Sequence, residues 1–169
     1  YALWADTVLL CGDIGRNSQS TILLSDLLRS YEGNVIVARD SLDALSNEAQ
    51  LLIKRPKTTI VASIAQLQRI FKNTGNPTPI TFTMDLTKLV DALCLVTKEN
   101  GASIVTLHNN QFIVASRGEV STTAVSAPNE PKSWRLLFAT TAACYQTWYP
   151  DEPFKALTHT AHKVRTGLA

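Results

Sequence analysis

The sequence predicts an α/β fold in three layers, a mostly parallel sheet between helices with a late antiparallel hairpin. Three observations carry that reading. Short, wholly apolar runs alternate with amphipathic segments, which implies crossovers between parallel strands. The apolar runs lack in-out alternation, as expected of strands covered on both faces. The last two strand-like runs flank Arg117-Gly118, which reads as a hairpin turn.

The elements follow in order. Thr7–Cys11 (TVLLC) is a buried strand that ends at Gly12. Ser18–Tyr31 is a helix with Ile22, Leu24, Leu27 and Leu28 on one face. Asn17 or Ser18 can cap it, and Gly33 stops it. Asn34–Ala38 (NVIVA) is the second strand, after which Asp40 is expected to cap a short helix carrying Leu42 and Leu45. Asn47–Lys54 is another short helix, ended by Pro56. Thr58–Ala62 is the third strand and Ile64–Asn73 a helix. Thr74–Pro79 (TGNPTP) is a loop. Leu86–Asn100 is an amphipathic helix with Gly101 just past its end, and Ser103–Leu107 is the fourth strand. Gln111–Ala115 and Glu119–Val125 form the hairpin. Ala127–Pro131 is a turn, and Ser133–Tyr149 and Glu152–Arg165 are two closing helices.

Composition narrows the function classes. The 169 residues make one domain, with no internal boundary or repeat. Apolar residues are 45% and charged residues only 18%, below the roughly 25% of an average soluble chain. Part of the surface is therefore expected to be covered by a homo-oligomer mate or by an upstream segment. Tyr1 opens the chain without an initiator Met, so the domain reads as the C-terminal part of a longer one. A net charge of +2 gives no electrostatic ground for nucleic acid. No apolar run reaches the roughly 18 residues that span a bilayer. Cys11, Cys94 and Cys144 lie far apart in apolar runs. They read as reduced, buried thiols of a cytoplasmic protein, not as a disulfide framework or zinc site.

The turn Gly12-Asp13-Ile14-Gly15-Arg16 joins a buried strand to a helix. Ligands of open parallel sheets bind beyond the carboxyl ends of the strands. Glycines there let backbone approach a phosphate, and the next helix offers its first amides. The turn has two glycines where a dinucleotide fingerprint has three, and it lacks the Lys of a P-loop. Asp13 would repel a phosphate without an intervening cation.

Thr7–Arg16 (TVLLCGDIGR) resembles the strand and GPGLGR turn of the ADP/ATP-dependent NAD(P)H-hydrate dehydratases, which are ribokinase-like, carbohydrate kinase-like proteins. Val37–Leu42 (VARDSL) is similar to that family's DADxL segment, with Asp40 at the second aspartate. Ile60–Phe71 stands in the place of the TPHPGE segment and its helix. Ala102–Val114 resembles the strand, KGA-type turn and return strand. Leu136–Ala143 is similar to the small-residue helix after the GTGD motif. The resemblance runs from about Ala5 to Val164 and rests on order and spacing more than on motifs. It implies a ribokinase-like fold and binding of ADP or ATP, with Mg²⁺ and an NAD(P)H hydrate as substrate. If the protein is active, it implies a lyase. It also implies about a hundred residues ahead of the glycine turn.

The motif residues depart from the family's. The GTGD stretch corresponds to Lys132-Ser133-Trp134-Arg135, with Arg135 where the catalytic Asp would stand. A guanidinium cannot serve as a general base near neutral pH. The His and Glu of TPHPGE fall on Ser63 and Gln66, the Lys-Gly of the KGA turn on His108-Asn109, and the first Asp of DADxL on Ala38. The resemblance therefore assigns no catalytic residue.

The binding residues expected are Gly12, Asp13, Gly15, Arg16, Asp40, His108, Asn109, Lys132 and Arg135. Several have a plain alternative. Asp40 can be a helix cap. Asn109-Asn110 can be a tight turn, since Asn tolerates left-handed backbone. Lys132 and Arg135 can be solvated residues at a helix start, or hold a phosphate by charge and amides. His108 can be a core residue. Asp13 and Asp40 can hold Mg²⁺ through water only if their strands are adjacent. His159 and His162 can share a helix face but lack a third ligand, so no metal site is expected. Trp134, Trp148 and Tyr149 read as packing or subunit contact, because basic residues are not interleaved with them. No nucleophile elbow and no Cys with a placed His is visible.

Three functions are thus expected in order. The first is a divergent dehydratase-like binder of a nucleotide or other phosphate. The second is a non-catalytic structural or regulatory subunit. The third is a small-molecule kinase with relocated chemistry, for which Glu130 is the carboxylate nearest the Ser133 helix start.

Overall fold

The computed structural model describes residues 4–12, 14, 17–76, 78–125 and 133–167. One six-stranded sheet runs in chain order: β1 (Thr7–Leu10), β2 (Asn34–Ala38), β3 (Thr58–Val61), β4 (Ser103–His108), β5 (Gln111–Ser116) and β6 (Glu119–Ala124). β1 to β4 are parallel, with Leu10 opposite Val37 and Val61 opposite Val105. β4, β5 and β6 are antiparallel. The expected sheet holds, and its strand ends move by no more than one residue. Both hairpin turns place two residues at positive φ: Asn109 (47°) and Asn110 (57°), then Arg117 (52°) and Gly118 (84°). This is the turn geometry whose twist matches that of the flanking strands.

The helices are α1 (Ser18–Ser30), α2 (Arg39–Ala44), α3 (Ala49–Lys54), α4 (Ile64–Thr74), α5 (Leu86–Glu99), α6 (Trp134–Trp148) and α7 (Pro153–Gly167). A 3-10 turn, Ser46–Glu48, precedes α3. Asn17 caps α1 by accepting from the Ser20 amide at 2.7 Å. Asp85 caps α5 in the same way, accepting from the Thr87 amide at 3.2 Å. Three readings need correction. The cysteines are not all buried: Cys11 and Cys94 are half-buried, and Cys144 is exposed because it lies 200° of helical rotation from the buried Ala142 on α6. Ile22 does not share the buried face of α1; it is 60% exposed, and Leu24, Ser25 and Leu28 carry that face. Ile22 lies 200° of helical rotation from Leu24, so the two cannot point the same way. Asp40 does not cap α2. The helix starts one residue earlier, at Arg39, and no side chain caps it.

Alternation along the strands divides the core. Val35, Val37, Ile60, Ile104, Ile113 and Ala115 face α1 and α3 to α5. Ile36, Ala38, Val61, Val105, Phe112 and Val114 face α6 and α7. On that second side Phe112 meets Trp134 and Phe138 at ring-centroid distances of 5.6 and 5.2 Å. No helix among the described residues is long and apolar enough to cross a membrane.

At the amino edge of the sheet, one buried cation joins two turns. Arg55 sits where α3 ends, and it is 9% exposed. Its Nε donates to the Leu28 carbonyl at 2.8 Å, and Nη2 to the carbonyls of Tyr31 and Gly33. Nη1 donates to the carbonyls of Pro56 and Lys57 and to Thr58 Oγ1. The guanidinium thus ties the end of α1 to the loop that enters β3. It makes no ion pair among the described residues. Burial pulls it below its ordinary value, and the neighbouring Tyr31 acts in the opposite sense. The Tyr31 hydroxyl donates to the Ala5 carbonyl. Burial, then Asp6, raise the Tyr31 phenol, while Arg55 lowers it.

Two predictions follow from this edge. Arg55→Met leaves several buried carbonyls without donors and is expected to cost about 3 kcal/mol or more, read from the urea midpoint. Arg55→Lys does not restore the loss, because an ammonium cannot reproduce the fork of donors. The second concerns pH. The folded Tyr31 value lies above the ordinary 10.0, so its contribution is intact below pH 10 and is lost as pH rises through the folded value. Thermal melts of Tyr31→Phe are expected to fall off less steeply in that alkaline window than those of the parent.

Candidate functional site at the carboxyl edge

Four parallel strands end at one edge, and the sequence places its candidates just beyond them. Gly12 follows β1, Arg39 and Asp40 follow β2, Ser63 follows β3, and His108 and Asn109 end β4 and begin the turn. α6 brings its first turn, with Arg135, to the same edge. The adjacency required of Asp13 and Asp40 is met by their strands, since β1 pairs directly with β2. Asp13, Gly15, Arg16 and Lys132 lie outside the described residues, as does Glu130.

Gln66 is the hub of the edge. Its side chain is 4% exposed, at the start of α4. Oε1 accepts from the Ser63 amide at 3.1 Å, and the Gln66 amide donates to Ser63 Oγ at 3.4 Å, which completes a capping box. Nε2 donates to the Arg39 carbonyl at 3.0 Å. Oε1 also accepts from Arg135 Nη1 at 2.8 Å. The carbonyl it grips belongs to a residue at φ 54°, a left-handed backbone that costs a non-glycine residue about 1–2 kcal/mol. Gln66 therefore fixes two arginines at once, one by its backbone and one by its side chain.

This pairing joins positions that departed from the family pattern. Gln66 stands where the resemblance puts a Glu, and Arg135 where it puts an Asp. An amide and a guanidinium are thus in direct contact at two positions where the resemblance leads one to expect carboxylates. A charge-assisted bond aims one nitrogen of Arg135 at Gln66. The rest of its fork has no hydrogen-bond partner among the described residues.

His108 is 7% exposed at the end of β4. Its Nε2 donates to the Met84 carbonyl at 2.8 Å, which leaves Nδ1 as the acceptor when the ring is neutral. Beside it is a cleft of about 310 Å³, lined in part by Ser63, Phe82, His108 and Asn109. Phe82 is 63% exposed at the rim. Asn109 is the turn residue that its left-handed tolerance allows, and it is also exposed to the cleft. Asp40 is half-buried in the first turn of α2. No group of three metal-ligating side chains occurs among the described residues. The roles of Gln66, Arg39 and Phe82 escaped the sequence reading. No local signal marks a left-handed Arg, and the contact of Gln66 with Arg135 spans 69 positions.

Comparison with known proteins bears on the fold. No protein-family profile and no curated protein matches the chain. Solved structures do. A ribokinase-like superfamily protein from Enterococcus faecalis V583 superposes with a TM-score of 0.71 at 13% identity, over 99% of this chain and 62% of that one. A candidate ribokinase from Thermoplasma acidophilum superposes at 0.59 and 8% identity, over 96% of this chain and 48% of that one. The chain thus has a ribokinase-like fold and spans between about half and two thirds of the length of these neighbours.

Gln66→Ala removes the cap partner and the acceptor of Arg135 together. It is expected to lower stability by about 1–2 kcal/mol, measured by thermal melting.

Proposed function

We propose that the protein is a ribokinase-like binder of a phosphate-bearing small molecule, related to the NAD(P)H-hydrate dehydratases and without their catalysis. ADP or ATP is the ligand class that the resemblance favours. The observation that carries the reading is the Arg135–Gln66 contact. A guanidinium held at the carboxyl edge attracts an anion, and it cannot withdraw the proton that elimination of water from a hydrated nicotinamide requires. The nitrogens of Arg135 that have no partner among the described residues and the polar groups beside His108 suit a phosphate. The cleft at Phe82 offers an aromatic rim for a planar ring. Asp40 is the one carboxylate of the proposed set among the described residues. Unpaired Cys11, Cys94 and Cys144 suit a reducing, cytoplasmic setting.

Thermal melting with ADP, ATP, AMP and NADPH, each with Mg²⁺, tests the reading. A ligand at about 100 times its Kd adds about 2.7 kcal/mol, a rise of about 5–10 °C for a chain of this size. ADP or ATP is expected to give that rise, and Arg135→Ala to abolish it. An unchanged Tm with every nucleotide overturns the binding. Ordinary turnover of hydrated NADH with ADP or ATP overturns the loss of catalysis.

A further inference from the structure

Among the described residues, Arg39, Lys57, Asn109, Asn110 and Arg117 are the non-glycine residues at positive φ. Asn109, Asn110 and Arg117 lie in the two hairpin turns, which require that backbone. Lys57 lies in the loop that enters β3, and Arg55 holds its carbonyl. Arg39 is of another kind. It opens α2 directly after β2, at φ 54°, where a step from strand to helix needs no left-handed residue. Glycine adopts that backbone without strain. An arginine there gives up stability, and residues strained in this way gather at ligand sites.

The fold makes no use of the Arg39 side chain. The residue is half-buried, yet its guanidinium has no hydrogen bond or ion pair among the described residues. Its carbonyl is the anchored part, accepting from Gln66 Nε2 at 3.0 Å. The other end of the same carboxamide, Oε1, accepts from Arg135 Nη1 at 2.8 Å. The nitrogen and oxygen of a carboxamide are about 2 Å apart, so the Arg39 carbonyl lies within about 8 Å of the Arg135 guanidinium. An arginine side chain, three methylenes and a fork, spans most of such a gap.

Two cations therefore share one anchor. Asp40 is the carboxylate next to them in the chain, and it forms no ion pair with either among the described residues. Like charges at this separation repel, and an anion between them turns the repulsion into attraction. The amide at position 66 suits that purpose. It orients both arginines and leaves their charge whole, which a carboxylate would not.

We propose that Arg39 and Arg135 form a two-arginine clamp for adjacent phosphates of the ligand, with Gln66 as the positioning residue that sets the gap. Each planar fork matches one phosphate, so a diphosphate fills the clamp and a lone phosphate satisfies half of it. The left-handed backbone at Arg39 is the stability given up to bring the second guanidinium to the edge. The inference rests on the proposed phosphate binding at this edge and adds which residues read the phosphates and how many they read.

Calorimetric titration with ADP, AMP and inorganic pyrophosphate, beside thermal melts without ligand, tests it. The parent is expected to bind pyrophosphate, and to bind ADP at least tenfold tighter than AMP. Arg39→Gly relieves the backbone and removes the fork. It is expected to keep or raise Tm while weakening ADP at least tenfold and AMP less. Arg39→Lys keeps the charge without the fork and is expected to fall between the two. Equal affinity for ADP in the parent and Arg39→Gly overturns the clamp alone, as does equal affinity of the parent for ADP and AMP. Pyrophosphate bound without ADP supports the clamp and overturns the nucleotide reading. Binding of neither overturns both.

Discussion

Right-handed crossovers between parallel strands laid in chain order leave only one side of the sheet for the helices that join them. That constraint organises the molecule. α1, the α2–α3 segment and α4 connect β1 to β4 and so share a face, with α5 beside them. The other face receives no crossover and depends on α6 and α7, which follow the last strand. The aromatic cluster of Phe112, Trp134 and Phe138 sits where this late layer meets the sheet. The α6 start, with Arg135, comes to the carboxyl edge because β6, two antiparallel steps from β4, runs in the direction of the parallel strands.

The two ends of the parallel strands use arginine in opposite ways. At the amino end Arg55 is surrounded by carbonyls at the end of α1 and at the turn into β3. These carbonyls replace water around the charge without any carboxylate. At the carboxyl end Arg135 has one hydrogen-bond partner among the described residues, Gln66. The first arrangement is closed and belongs to the architecture. The second leaves part of the guanidinium without a hydrogen-bond partner among the described residues. A carboxylate at position 66 or 135 would change the sign of that edge.

The strands were legible because burial on both faces leaves uninterrupted apolar runs, as in Asn34–Ala38. Asn109-Asn110 and Arg117-Gly118 were legible as turns because few residues tolerate their backbone. The faces of α1 were read less well. Four apolar residues near one another suggest a single stripe, yet Ile22 points away from the core. The start of α2 was missed because Arg39 enters it through a left-handed conformation that no sequence rule assigns to arginine. At the site, the positions of Asp40, His108 and Arg135 at one sheet edge followed from topology. The contact of Arg135 with Gln66 did not, since it depends on how α6 settles against α4 across the sheet edge.

Sheet order also shapes how the chain is made. Each strand pairs with the one synthesised just before it, so the sheet can widen as the polypeptide emerges, and its first face is covered as it grows. The second face has no such partner. Ile36, Val61, Val105 and Phe112 stay bare until α6 and α7 have left the ribosome. A nascent chain of this protein therefore exposes apolar sheet surface until its final segment docks, and a premature stop after β6 turns that passing state into a lasting one.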